Sequence, residues 1–230
     1  MMNFKKNKKI YLKVKEKNIE TSIVCEVGVY LPETSNIIDF ISDGKKTILV
    51  EPNPPAIVAI NNFFKDFSNI KLYPFAIYKH NGKLTLSNAE ASTFVSDLPA
   101  SPALINDSYQ QDSSKNVEVE CRLFSEIDEG NIDLLSIDTE GCEWYVLETM
   151  ISRPKVISIE THGKFYINPF MDKIANWALV NGYKIWFKDK SDTVYYKSDL
   201  FKVSFSEILQ LLIMNVYLKF RYAKKIFYGK

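Results

Sequence analysis

Apolar residues along this chain fall into short continuous runs that alternate with stretches of helical periodicity. The segment "TSIVCEVG" (21–28) is an apolar run ended by glycine, and in "ETSNIIDFISDG" (33–44) Ile37, Ile38 and Ile41 recur at helical spacing before another glycine. The alternation returns in "KTILVEP" with "PPAIVAINNFFKDF", in "NIKLYPFAI", in "IDLLSID" with "GCEWYVLETMI", and in "KVISIETH" with "NPFMDKIANWALVNG". Wholly apolar strands separated by helices predict an α/β fold with a mostly parallel sheet covered on both faces. "KLTLSN" and "VEVECRLF" predict extra strands, while "YKIWFK" and "TVYYKS" predict an antiparallel hairpin closing the sheet across the turn residues "DKSD". About seven strands are expected in the main sheet. The polar interval 96–116 predicts a long surface loop, a kind of segment that often forms a lid or a binding loop.

Composition narrows the class. With 230 residues, 46% of them hydrophobic and 13% aromatic, one sizeable core is affordable. Twenty-nine Lys and Arg against 28 Asp and Glu leave a net charge of +1, which argues against a nucleic-acid partner bound by phosphate neutralisation. Cys25, Cys121 and Cys142 are widely spaced and form no C-x-x-C pair, so neither a disulfide framework nor a zinc site is expected. Residues 1–20 read as a basic extension without the apolar stretch of a secretory signal, and no apolar run reaches the roughly 18 residues of a spanning helix. A cytoplasmic protein is expected. Residues 21–200 read as the main domain and 201–230 as an amphipathic basic tail, whose stretch 205–228 could lie on an anionic membrane or against a partner subunit.

Candidate chemistry lies at the strand ends, because ligands of open α/β sheets bind beyond the carboxyl ends of the strands. Those ends read Glu26-Val27-Gly28, Glu51-Pro52-Asn53, Asp138-Thr139-Glu140-Gly141 and Glu160-Thr161-His162. The dinucleotide fingerprint G-x-G-x-x-G is absent, and a pyrophosphate would be repelled by Glu26 and Glu33. An acid two residues before a lone glycine suits a ligand carrying an ammonium or sulfonium group. Glu51, ending its strand, can accept both hydroxyl hydrogens of a ribose. Glu143, and in part Glu140, complement the dipole of the following helix, whereas Asp138 directly follows its strand and should face the crevice. Glu160 and His162, two apart, are expected on one strand face, with Asp138 nearby to raise the imidazole's basicity. Asp138, Glu160 and His162 could also hold a divalent metal. His80, in its "KHNG" turn, reads as surface.

Four landmarks stand in order: "CEVGVY", "ILVEPNP", "LLSIDTEGCEWYVLE" and "ISIETH". The series resembles the FkbM-type family of S-adenosylmethionine-dependent methyltransferases, over about residues 22–162. Two places depart from the family pattern: the first loop reads "YLPETS" without a later glycine, and the acidic segment reads Ser-Ile-Asp-Thr where the family has Lys-Ile-Asp-Val. The resemblance implies a Rossmann-like class I methyltransferase fold across residues 21–200. It further implies that Glu26, Gly28, Val29 and Tyr30 hold the methionine portion of S-adenosyl-L-methionine, that Glu51 binds its ribose, and that Asn53 and Ala76 lie near the adenosine. Ser92 is nominated beside the acceptor, and Asp138, Glu140, Glu160 and His162 would face the methyl group.

The implied activity is O-methylation of a sugar hydroxyl on a glycan, lipopolysaccharide or glycoconjugate. A hydroxyl is a weak nucleophile, so transfer needs in-line alignment and a base, with His162 the first choice and Asp138 the second. If Asp138 and Glu160 instead held Mg or Mn, the metal would acidify the hydroxyl. Two rival readings are an NAD-dependent oxidoreductase, disfavoured by the missing glycines, and a non-catalytic binding or partner subunit.

Overall fold

A computed structural model describes residues 5–87, 93–98, 100–106, 109–110 and 112–228, with side chains of the last helix followed as far as 223. The chain begins with helix α1 (Lys9–Glu16), then strand β1 (Ile23–Val27), helix α2 (Ile38–Ser42), β2 (Lys46–Val50), α3 (Pro54–Phe63), β3 (Ile70–Tyr73) and the two-residue strand β4 (Ala76–Ile77). It continues through β5 (Gly82–Ser87), β6 (Phe94–Val95), α4 (Pro102–Asn106), β7 (Asn116–Arg122), β8 (Leu134–Ile137), α5 (Glu143–Thr149) and β9 (Val156–Glu160). Helix α6 (Met171–Val180), β10 (Tyr183–Lys188), β11 (Asp192–Lys197) and the long helix α7 (Phe205–Tyr228) complete it.

Seven strands form the main sheet in the order β10-β11-β9-β8-β1-β2-β3, with β11 antiparallel to both neighbours and the central strands parallel. A parallel core of about seven strands with an antiparallel closing hairpin is what the sequence predicts. The pleat sends alternate side chains to opposite faces. Val24, Leu49, Leu134 and Val156 therefore pack with Phe40, Ile41, Ile60 and Trp186 on one side. Cys25, Val50, Leu135, Ile137, Ile157 and Ile159 pack with Val146, Leu147, Ile174 and Tyr183 on the other. Chain order reverses between β1 and β8, since β2 and β3 lie to one side and β9 to the other. That reversal opens the crevice in which a site belongs.

Local chemistry explains where expectation and structure part. The helix expected over 33–44 shortens to a 3-10 turn at Pro32–Thr34 followed by α2, because Glu26 captures Ser35 and the Asn36 N–H between the two. "NIKLYPFAI" breaks at Pro74 into β3 and β4. The extra strands do not extend the main sheet; they form a second one, ordered β4-β7-β5-β6. Within the basic N-terminal stretch, Ile10, Tyr11 and Val14 of α1 are buried in the core. The start of α1 is held by buried Asp39, whose carboxylate accepts N–H bonds from Lys6 (2.6 Å), Asn7 (2.9 Å) and Lys8 (2.7 Å). Among the described residues, no helix is long and apolar enough to cross a membrane.

Candidate active site

A cavity of about 420 Å³ opens at the carboxyl ends of β1, β2 and β8, within the size range of small-ligand sites. Gly28 makes the first turn of its wall possible. Its φ of +84° lies in the left-handed region, and a Cβ there would stand 1.7 Å from the carbonyl oxygen of Asp138. The two strand-end loops thus meet backbone to backbone across the crevice.

Glu51 fastens this turn. Its carboxylate accepts N–H bonds from Val29 (3.0 Å), Tyr30 (2.8 Å) and Asn53 (2.8 Å), tying the loop after β1 to the loop after β2. Burial pushes the Glu51 carboxyl above its usual range, opposed by those three bonds. An ionised carboxylate has about four acceptor positions, so the three bonds leave roughly one for a ligand hydroxyl. The sequence carries no sign of this clamp, because hydrogen bonds to backbone N–H groups leave no residue pattern.

Glu26, 1% exposed, receives the Ser35 hydroxyl and the Asn36 N–H (2.8 Å). Burial raises its carboxyl to about 7, against the lowering effect of those two bonds. Val29, Tyr30, Asn53 and Ala76 line the same cavity, with Phe75, Ile77, Phe94 and Val95 supplying an apolar wall. Ser92 lies outside the described residues.

Past β8 the acids converge. Ligand-capable oxygens of Asp138, Glu140 and Glu160 all lie within 4.8 Å of one another. Asp138 and Glu160 share a hydrogen bond, and the second Glu160 oxygen, buried, has no hydrogen-bond partner. Burial raises the Asp138 carboxyl well above its ordinary range, and neighbouring Asp192 and Glu143 add to this. Glu160 moves in the same direction through burial and the charges of Asp138 and Glu140. Glu143, fully buried, is not part of the opening. It accepts from Thr139 N–H (2.9 Å), Gly141 N–H (3.1 Å) and the Asn168 amide, and so braces the acidic turn from behind. Asp192, read from sequence as turn material, is a fourth acid here, because β11 pairs with β9 in a register that sets it opposite Glu160. Burial and Asp189 raise its carboxyl to about 6.

His162 does not join this group. Strand β9 ends at Glu160, the Thr161 and His162 N–H groups both donate to the Ser191 carbonyl, and His162 bridges to Ile167 instead of continuing the strand. Alternation of faces lapses where the strand stops. The imidazole pairs through Nδ1 with the Thr161 hydroxyl (2.9 Å) and through Nε2 with the Asp189 carbonyl (3.0 Å), and it lines a second cavity under α7. Burial lowers its pKa. His162 is therefore not the neighbour of Asp138 that the sequence predicts, and in the convergent acid group Glu140 stands where His162 was expected. The segment between β6 and β7 packs behind the acidic turn, with Ala100 and Leu98 against Gly141 and Asn106 receiving the Phe165 and Tyr166 N–H groups, while none of its described residues lines the cavity.

The family model of the methyltransferase FkbM domain matches residues 26–185, which includes Glu26, Gly28, Glu51, Asp138, Glu140 and Glu160 but not Asp192. The chain belongs to that family. As an FkbM domain it is an S-adenosylmethionine-dependent methyltransferase. No curated protein sequence matches it. Among solved structures it is similar to the ribosomal protein L11 methylase of Lactobacillus delbrueckii subsp. bulgaricus (10% identity, 81% of this chain and 75% of that one, TM-score 0.44). It is also similar to an SAH-bound methyltransferase of Podospora anserina (12% identity, 82% and 77%, TM-score 0.44). A third likeness is to Aeropyrum pernix fibrillarin with S-adenosyl-L-methionine bound (13% identity, 77% and 66%, TM-score 0.43).

The cavity of this FkbM domain suits such a donor. Glu26, Glu51, Asp138 and Glu140 line it, and among the described lining residues there is no Lys, Arg or His. Such a lining attracts a cationic sulfonium and ammonium wherever its carboxyl groups are ionised, and offers a diphosphate no cation. The apolar wall formed by Phe75, Ala76, Ile77 and Phe94 fits a flat heterocycle.

Proposed function

We propose that this FkbM domain methylates a hydroxyl of a sugar carried by a glycan, lipopolysaccharide or glycoconjugate. The observation that carries the reading is the convergence of Asp138, Glu140 and Glu160, the first two of which line the acid-lined cavity. Carboxylates at that place suit an acceptor rich in hydroxyl donors and supply a proton acceptor for the hydroxyl that reacts. Glu26, Glu51 and the Gly28 turn hold the donor; Asn53 and Ala76 border its adenosine. Bound adenosylmethionine supplies an electrophilic methyl on a positive sulfur that departs as a neutral thioether. Asp138 takes the hydroxyl proton as the new C–O bond forms, and Glu160 behind it shares that proton. His162, turned away from the cavity, has no part in the transfer.

A second reading places Mg or Mn on Asp138, Glu140 and Glu160, favoured by their convergence and by the unpartnered Glu160 oxygen. A metal there would acidify the hydroxyl directly. Loss of transfer after exhaustive chelation, restored by added metal, selects it; activity that survives chelation rejects it.

The test is transfer of labelled methyl to a panel of hydroxyl-bearing sugars by the wild type and by Asp138→Asn. The variant should keep donor binding and lose roughly 10²- to 10⁴-fold in turnover, the usual worth of general-base assistance. Unchanged turnover removes Asp138 from the mechanism, and label found on nitrogen overturns the hydroxyl reading.

A further inference from the structure

Helix α7 leaves one face uncovered. Phe205, Ile208, Leu209, Leu212, Ile213, Val216, Tyr217 and Phe220 follow the spacing i, i+3, i+4, i+7, i+8, i+11, i+12, i+15, which is one unbroken stripe of an α-helix. All are exposed, from 46% at Ile208 to 82% at Phe205. At 1.5 Å per residue the stripe runs about 22 Å. Isolated exposed apolar side chains are ordinary, but a continuous band of this size marks an interaction surface.

The helix is anchored on its other side, so the stripe cannot turn inward. Glu207, 6% exposed, pairs with Lys13 (3.0 Å) and Lys17 (2.8 Å) of the N-terminal region and accepts the Trp186 indole N–H (2.8 Å). Glu207 is also the last acidic residue of the chain. Residues 208–230 contain Lys219, Arg221, Lys224, Lys225 and Lys230 and no Asp or Glu. Beneath α7 lies the second cavity, about 380 Å³, bordered by Lys164, Lys188, Lys219 and Arg221 and, among the described residues, by no acid. It opens from Thr161 and His162, directly after Glu160, so the helix stands at the sheet edge that carries the donor site.

We propose that α7 lies flat on an anionic phospholipid surface, with its apolar stripe in the interface and the positive charge of its C-terminal half drawn to the headgroups. An uncovered apolar stripe on a helix that carries only basic charges after Glu207 matches an anionic bilayer in both its oily and its charged layer. A second copy of this chain would bring the same excess of positive charge to the interface, which favours lipid over self-association. Lying in the interface agrees with the lack of a spanning helix among the described residues. The arrangement presents the site to acceptors at that surface. It does not depend on which hydroxyl is methylated.

Cosedimentation of the full chain with phosphatidylcholine vesicles, with and without phosphatidylglycerol, tests this at low and high salt. Binding should be at least tenfold tighter to the anionic vesicles and should weaken as salt rises. The exposed substitutions Leu212→Glu and Val216→Glu, made together, should abolish binding while leaving helical content and adenosylmethionine affinity unchanged. Those two readouts show that the variant is folded and that its donor site is intact. Equal binding to neutral and anionic vesicles, or none to either, overturns the proposal. So does a dimer of the wild type, measured by light scattering, that dissociates in the double variant while vesicles are ignored.

Discussion

A Cβ on Gly28 would lie 1.7 Å from the carbonyl oxygen of Asp138, so the turn after β1 and the residue that follows β8 are fitted against each other through their backbones. Gly28→Ala should therefore disturb both halves of the site together. Left-handed strain of about 1–2 kcal/mol adds to overpacking of about 1–3 kcal/mol. A fall in unfolding free energy on the order of 3 kcal/mol, with loss of donor binding, is the expected outcome. Chemical denaturation and calorimetry on one preparation check it; a variant as stable as wild type would show that the loops can separate freely.

Glu51 holds three backbone N–H groups on two loops. In Glu51→Gln one carboxylate oxygen becomes an amide donor facing an N–H, leaving at least one buried donor unmet at a cost of roughly 1–3 kcal/mol. Thermal denaturation should show this loss even without ligand. Titration with donor should show a fall of tenfold or more in affinity, whereas a residue that touched only ribose would leave the ligand-free protein as stable as before.

Glu26 makes the site sensitive to pH. Its carboxyl is raised from 4.5 in the unfolded chain to about 7 in the folded one, chiefly by burial. The folded state therefore holds a proton that the unfolded state has lost between those values, and stability falls as pH rises from about 4.5 to about 7. The shift corresponds to roughly 3 kcal/mol. Glu26→Gln should flatten this part of the stability profile. Donor affinity should move the other way, increasing as pH rises through 7 and the carboxylate becomes available to a cation, and this slope too should vanish in the variant.

His162→Ala removes an imidazole held by Thr161 and the Asp189 carbonyl, away from the acids of the donor cavity. Methyl transfer should stay within about threefold of wild type, well below the 10²-fold or more expected of a lost general base. Stability should fall by about 1–2 kcal/mol for the lost hydrogen bonds. A hundredfold loss of turnover with intact donor binding would return His162 to the mechanism.

Much of this was legible in the sequence, for identifiable reasons. Wholly apolar strands and polar strand ends are local signals, so the parallel sheet and the meeting of Glu26, Gly28, Glu51 and Asp138 at one edge followed from pattern alone. Pairing between distant segments was not legible. Asp192 joins the acids only through its register with Glu160, and Asp39 holds α1 from more than thirty residues away. The two-residue strands β4 and β6 are too short to show a period, which hid the second sheet. His162 was misplaced because the alternation of faces was carried two residues past the end of β9.

A cavity walled by Glu26, Glu51, Asp138 and Glu140 should select a positively charged methyl donor and refuse a diphosphate. Parallel calorimetric titrations of the wild-type chain with S-adenosylmethionine and with NAD measure that selection directly. Saturable one-to-one binding of adenosylmethionine with no heat from NAD is the result expected. Tight binding of NAD and silence with adenosylmethionine would contradict it.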